Sequence, residues 1–365
     1  MKILISGGGT GGHINPGLAI AKYFREKQPG CEILFVGTKH GLEGELVPKE
    51  GFDIKFIEVA GFKRKLSADT FRTVGKMFKG YSQSVRIIKD FKPDAVIGTG
   101  GYVCGPVLLA ASRHKIKTFV HEQNVIPGVT VKILSKFTDV VFTSFEETDK
   151  YLDKKNIVLC GNPISGDILN FSRDEARKNL GFDDRPLILA YGGSLGAARV
   201  NDAVCGYIEK TAAGGRYQIM LATGKREYDR VTEKLGSLTE LPNVRVLPYI
   251  YNMGECMAAA DVVISRAGAM TVSELSAVGK SAILIPSPNV AHNHQEYNAR
   301  ALEKKGGAIV VEESVLSGDT LSEAVESLVS APEKIRIMAE NSKKSGIINA
   351  SEIIYDTVRH VTAEP

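Results

Sequence analysis

Three glycine-rich stretches, GGGTGG at 7–12, GTGGYVCGP at 98–106 and YGGSLGA at 191–197, each follow an apolar, strand-like run. Amide N–H groups and helix starts at such places attract anions, although a tight turn under a closely packed helix needs glycine just as much. The spacing Gly7, Gly9, Gly12 satisfies the GxGxxG dinucleotide fingerprint, which also asks for an acidic residue about 20 positions on to hold a ribose diol. The stretch EILFVGTKHG ends instead in Gly37, Thr38 and Lys39. Lys39 suits a 2′-phosphate and keeps an NADP-dependent oxidoreductase open as the alternative. His13 closes the first loop. A neutral imidazole there can accept a proton near pH 7, and the competing reading is a helix-start histidine bonded to the backbone. Glu122 in HEQN is a second proton acceptor, set against the reading of a structural carboxylate at a strand end.

The acid missing from the first loop has a counterpart in ADVVISRAGAMTVSEL, where a strand turns at Gly268 into a helix starting at 269–271. Amide groups at that start suit a diphosphate, and Glu274 in its first turns can accept both hydroxyls of a ribose. Taken alone, Glu274 reads better as a helix-dipole or capping acid after Thr271. The next loop, SPNVAHNHQEYNAR, adds His294, Gln295, Glu296 and Asn298, whose groups match sugar hydroxyls. His292 and His294 lack a third metal ligand, so no metal site is expected. GxxxxGK[ST] is absent around Gly224 and Gly279, and Ser194 in GGSLG is not a GxSxG nucleophile.

These residues need a scaffold of strands ending where the loops begin. KILIS, EILFVG, DAVIGTG, KTFVHE, DVVFTS and NIVLCGNPI form one series of β-branched apolar runs, and RPLILAYGGS, YQIMLATG, VRVLPYI, DVVISRAG, SAILIPSP and AIVVEE a second. With amphipathic segments between them, they predict an α/β protein of two doubly wound, Rossmann-like domains, their parallel sheets facing a cleft. Pro and Gly punctuate the change of series at Gly161-Asn162-Pro163. The expected division is 1–162 plus a returning C-terminal helix 346–365, and 163–345.

The chain has 365 residues, 43% of them hydrophobic, and a net charge of +4. That length suggests two cores. Five cysteines without a CxxC pair fit a reducing cytoplasm and neither zinc nor disulfides. Residues 55–92 carry ten basic residues against three acidic, with Phe62, Phe71, Met77, Phe78 and Tyr81 among them, which fits attraction to anionic lipid. The competing reading is a solvated helix with Phe71, Val74 and Phe78 turned inward.

GGGTGGHINPGLAIA, GTGGYVCGPVLLAA, HEQNVIPG, GNPI, GGSLGA, RAGAMTVSE and HNHQEYNA, in this order, cover nearly the whole chain. Together they resemble the MurG family, bacterial transferases of N-acetylglucosamine from UDP-N-acetylglucosamine to lipid I. The resemblance implies the GT-B fold and inverting, metal-independent transfer to the undecaprenyl-linked acceptor, giving lipid II. It also implies a peripheral location on the cytoplasmic face of the inner membrane, with no cofactor and no nucleic acid partner. Carried onto this chain, it puts uracil near Ile250, the diphosphate at Ser194 and at Ala269, Met270, Thr271, Val272 and Ser273, and the ribose at Glu274. Gln295 and Asn124 would contact the sugar, bordered by Thr10, Gly11 and Gly12. The acceptor pyrophosphate would lie against Gly9 to Gly12 and against Gly100, Gly101, Tyr102 and Gly105. Ser165 stands where many members have arginine, with Arg199 or Arg266 as substitutes. Phe62, Lys63, Arg64, Lys65, Lys76, Phe78 and Lys79 would meet the anionic membrane surface.

Overall fold

The computed structural model describes residues 1–60, 68–153, 156–193 and 195–363, with the side chains of 68–74 left aside. Phe62, Lys63, Arg64, Lys65 and Ser194 lie outside the described residues. The chain divides into two units, 1–164 with 348–365, and 165–347.

The first unit holds seven parallel strands: β1 (Lys2–Ser6), β2 (Glu32–Gly37), β3 (Asp53–Phe56), β4 (Ala95–Gly98), β5 (Lys117–Glu122), β6 (Val140–Thr143) and β7 (Ile157–Leu159). Their order is β3-β2-β1-β4-β5-β6-β7. A parallel sheet is covered on both faces, so its central strands read as unbroken apolar runs. Ile3, Leu4 and Ile5 of β1 are all buried, Ile3 and Ile5 in one core and Leu4 in the core of the opposite face. The edge strand β3 escaped the sequence pattern because its side chains are mostly exposed and alternate with polar residues. The helix Ala350–Ala363 returns to this unit and lays Tyr355 edge-on against Phe24, with ring centroids 4.9 Å apart.

The second unit repeats the plan with β8 (Leu187–Tyr191), β9 (Gln218–Ala222), β10 (Val244–Leu247), β11 (Val262–Ser265), β12 (Ser281–Leu284) and β13 (Ala308–Val310), in the order β10-β9-β8-β11-β12-β13. In each sheet the order reverses beside the first strand of the series, between β1 and β4 and between β8 and β11. Ligands of doubly wound folds bind at the carboxyl ends of strands at that reversal. The loops leaving these four strands are the three glycine clusters and the Gly268 turn.

Candidate active site

In the first unit the glycines of two loops are explained by how closely the loops pack. A Cβ at Gly8 would lie 2.5 Å from the carboxylate of Glu43, and one at Gly100 would lie 2.6 Å from Cδ2 of His13. At Gly101 it would strike the Gly8 carbonyl, and at Gly7 the Thr99 hydroxyl. Gly9, Gly11, Gly12 and Gly105 have open space or ordinary contacts instead, so these are the positions where a ligand can approach. Thr99 Oγ1 donates to the His13 carbonyl at 2.7 Å, tying the second loop to the first. Tyr102 is partly exposed beside Gly9.

His13 Nδ1 lies 3.1 Å from the Gly8 carbonyl oxygen and 3.3 Å from Thr10 Oγ1. A carbonyl only accepts, so Nδ1 carries the proton and the neutral ring keeps its lone pair on Nε2. That is the tautomer a base at Nε2 requires. Sequence reasoning missed Glu43, at the start of the helix Glu43–Lys49. Its buried carboxylate accepts the Gly9 N–H at 3.1 Å, the Thr38 N–H at 2.9 Å and the Thr38 hydroxyl at 2.7 Å. Burial pushes this carboxyl up, but the bonds from Thr38 and Gly9 outweigh it and hold it below its ordinary range. Gly9 therefore spends its N–H inward rather than offering it to a pyrophosphate.

Glu122 is buried, and both oxygens serve the loop after β5. Oε1 accepts from the Asn124 N–H at 2.9 Å and from the Asn124 side-chain amide at 3.2 Å, and Oε2 from the Gly128 N–H at 2.9 Å. Burial raises its pKa against these bonds. It staples the loop, and part of the Asn124 amide is committed to it. Neighbouring His121 is fully buried, and desolvation lowers its pKa to about 4.

In the second unit the helix Ala269–Val278 begins at Gly268, whose missing side chain caps nothing. Among the described residues, the helices starting at Gly11, Cys104, Ala198 and Ala269 have neither a side-chain cap nor an acid in the first turn. Other α-helices mostly have one or the other, the short helix Val129–Leu134 excepted: Ser172 caps Arg173–Leu180 and Ser317 caps Gly318–Val329. Uncapped amides without a competing carboxylate are what an anion needs. Glu274 follows in the second turn, its pKa pushed up to about 7 by burial; burial, and after it the charge of Glu274, raise that of Tyr191. Gln295 Oε1 accepts from the Ser287 N–H at 2.9 Å, which aims its amide nitrogen as a donor. The preceding His292 and Asn293 hold left-handed φ values of 54° and 51°, a strained turn. Ile250 buries its side chain, so a base beside it would meet backbone.

Other sequence candidates are spent on structure. Glu296 pairs with Arg300 at 2.7 Å, and buried Asn298 donates to the Ala267 carbonyl at 3.2 Å. Arg266 donates to the Ile285 and Pro286 carbonyls and pairs with Glu313, so it does not substitute for the arginine missing at exposed Ser165. Ser165 Oγ donates to Asp167 at 3.3 Å. No cluster of metal-ligating side chains occurs among the described residues.

On the helix Ala68–Phe91, Lys76 and Lys79 are exposed, and Phe78 is 72% exposed rather than turned inward. Lys79 pairs with Glu58 at 2.7 Å. Beside them is an apolar groove of about 660 Å³ lined by Met77, Phe78, Tyr102, Leu109, Ile133 and Phe137, among others. No helix among the described residues is long and apolar enough to cross a membrane.

Residues 3–143 match the glycosyltransferase family 28 N-terminal domain, and residues 187–354 match the C-terminal domain of that family. A UDP-N-acetylglucosamine–N-acetylmuramyl-(pentapeptide) pyrophosphoryl-undecaprenol N-acetylglucosamine transferase of Acetivibrio thermocellus is 53% identical over 363 residues, 99% of this chain and 98% of its own. A Thermoanaerobacter protein of the same name is 47% identical, covering 99% and 100%. The crystal structure of MurG from Acinetobacter baumannii superposes with a TM-score of 0.82 at 28% identity, over 98% of this chain and 99% of that one. A UDP-GlcNAc 2-epimerase from Neisseria meningitidis, at 15% identity and a TM-score of 0.69, shares the fold alone. With two loop-bearing Rossmann-like units and this full-length kinship, the chain belongs to the MurG family of glycosyltransferase family 28.

Proposed function

We propose that this enzyme transfers N-acetylglucosamine from UDP-N-acetylglucosamine to the 4-hydroxyl of the N-acetylmuramyl group of lipid I, forming lipid II with inversion and without a metal. The observation that carries the site assignment is the uncapped, acid-free helix start at Ala269, followed by a desolvated Glu274. The amides of 269–273 take the diphosphate, a role metal ions fill elsewhere, and stabilise its charge as UDP leaves. Glu274 accepts the ribose hydroxyls, and the Gln295 amide donates to the sugar. The second unit thus serves the donor and the first the acceptor. The 4-hydroxyl oxygen bonds to the anomeric carbon as the bond to phosphate breaks, and its proton passes to His13 Nε2.

The exposed Phe78, Lys76 and Lys79, with Phe62, Lys63, Arg64 and Lys65, receive the anionic membrane face on which a lipid-linked acceptor resides, at about 1 kcal/mol per basic residue. Replacing the five basic residues with glutamine is expected to reduce sedimentation with anionic vesicles while donor affinity holds.

The decisive assay is transfer of labelled sugar to a soluble lipid I analogue in the presence of a chelator. The native chain is expected to turn over, and His13→Ala to lose about 10²–10⁴-fold in kcat with donor affinity kept. A chelator-sensitive rate, or a several-fold loss only, would remove the metal-free or the general-base assignment respectively.

A further inference from the structure

The Gly9 N–H and the Gly8 carbonyl belong to one trans peptide group and point to opposite sides of it. Glu43 holds the N–H side at 3.1 Å, and His13 Nδ1 approaches the carbonyl side at 3.1 Å. The carboxylate is buried, and its other oxygen takes both donors of Thr38. Room for it is made in two segments, the first loop and the stretch leading into its own helix: a side chain at Gly8, Gly37 or Gly41 would collide with Glu43. On the far side, Gly101 lets the second loop close over the same Gly8 carbonyl, and Gly100 lets it close over the His13 ring. The peptide is gripped from both sides.

We propose that Glu43 is a positioning residue for the transfer reaction, holding the Gly8–Gly9 peptide so that its carbonyl keeps the proton on His13 Nδ1 and presents the Nε2 lone pair to the acceptor hydroxyl. The arrangement is a carboxylate–histidine pair with a peptide group inserted between its members. Hydrogen bonds in a chain polarise one another, so a negative charge on the N–H side makes the carbonyl a better acceptor for Nδ1–H. A carboxylate bonded directly to a catalytic histidine fixes its tautomer in the same way. Glu43 itself touches neither substrate, and the proton taken from the hydroxyl stays on His13 Nε2 while Nδ1–H remains in place. The inference rests on the assignment of His13 as the base.

The test is made on the full chain with ¹⁵N-labelled histidine, at a pH where His13 is neutral. In the native protein the ring nitrogens are expected to report a single tautomer protonated at Nδ1. In Glu43→Gln the amide replaces the carboxylate at similar size, the two tautomers are expected to mix, and kcat is expected to fall about tenfold or more with the donor Kd unchanged. Glu43→Asp, which draws the carboxylate back by one methylene, is expected to fall between the two and provides the same reading if the glutamine variant does not fold. A native ring protonated at Nε2, an unaltered tautomer in the variants, or a kcat within twofold of native would overturn the proposal. His13→Ala separates this from the base assignment. If that variant keeps its rate, the base reading fails while the tautomer spectra still decide the link to Glu43. If it is inactive and the spectra do not change, the link alone fails.

Discussion

Donor binding should titrate with Glu274. Burial moves this carboxyl from 4.5 to about 7, a shift worth about 3 kcal/mol between its two protonation states. Ribose hydroxyls donate, so the ionised form is the one that binds. With a pKa near 7, roughly one tenth of the protein is ionised at pH 6 and roughly nine tenths at pH 8. The apparent Kd equals the intrinsic value divided by that fraction, so UDP-N-acetylglucosamine should bind about tenfold more weakly at pH 6 than at pH 8. Binding near pH 7 should also expel a fraction of a proton. The substrate's diphosphate is esterified at both ends and has no proton to lose in this range, and Tyr191 beside Glu274 stays neutral because burial raises its pKa well above 10. Calorimetric titration at pH 6, 7 and 8 in buffers of different ionisation enthalpy measures both quantities. Glu274→Gln should bind weakly and equally at all three. A native Kd that is flat across this range, or a slope that survives in the glutamine variant, would refute the reasoning.

Other outcomes follow from the same geometry. Gly100→Ala puts a methyl against the His13 ring at a φ of 103°, so kcat should fall at least tenfold in transfer assays while donor titration is unchanged. Glu122→Ala removes the acceptor of the part-buried Gly128 and Asn124 N–H bonds and should cost roughly 1–3 kcal/mol in urea unfolding, whereas Glu122→Gln should keep kcat within a few-fold if this residue is a staple and not a base. His121 stays neutral in the fold down to about pH 4, while in the unfolded chain it takes up a proton near 6.5. Its contribution should be complete above pH 6.5 and fall by about 3 kcal/mol as pH drops to 4, a loss that His121→Gln should lessen in acid denaturation curves.

The strand series was legible because both sheets are covered on both faces and their central strands hold little but buried apolar side chains. β3 was not, since an edge strand with exposed polar residues has no such run. The Gly268 turn and Glu274 were legible as a strand–turn–helix with an acid in place. Glu43 was hidden because the peptide it holds, at Gly8 and Gly9, is brought beside it only by the fold, 34 residues away along the chain. The first glycine loop invited a search for an acid at the end of β2, and the acid lies six residues past that strand, turned inward. Spacing alone also could not separate Gly100 and Gly101, which admit a neighbouring loop, from Gly9 and Gly105, which leave open surface.

The helix Ala350–Ala363 buries Ile354, Tyr355 and Val358 in the core of the first unit. During synthesis residues 1–164 emerge first, yet their core is short of these three side chains until residues 354–358, nearly two hundred positions later, have been made. Residues 165–347 are contiguous and can close their own sheet earlier. The order of completion on the ribosome is thus the reverse of the order of emergence, and while residues 165–347 are being made the first unit presents an unfinished surface that a chaperone, or the membrane itself, would have to shelter.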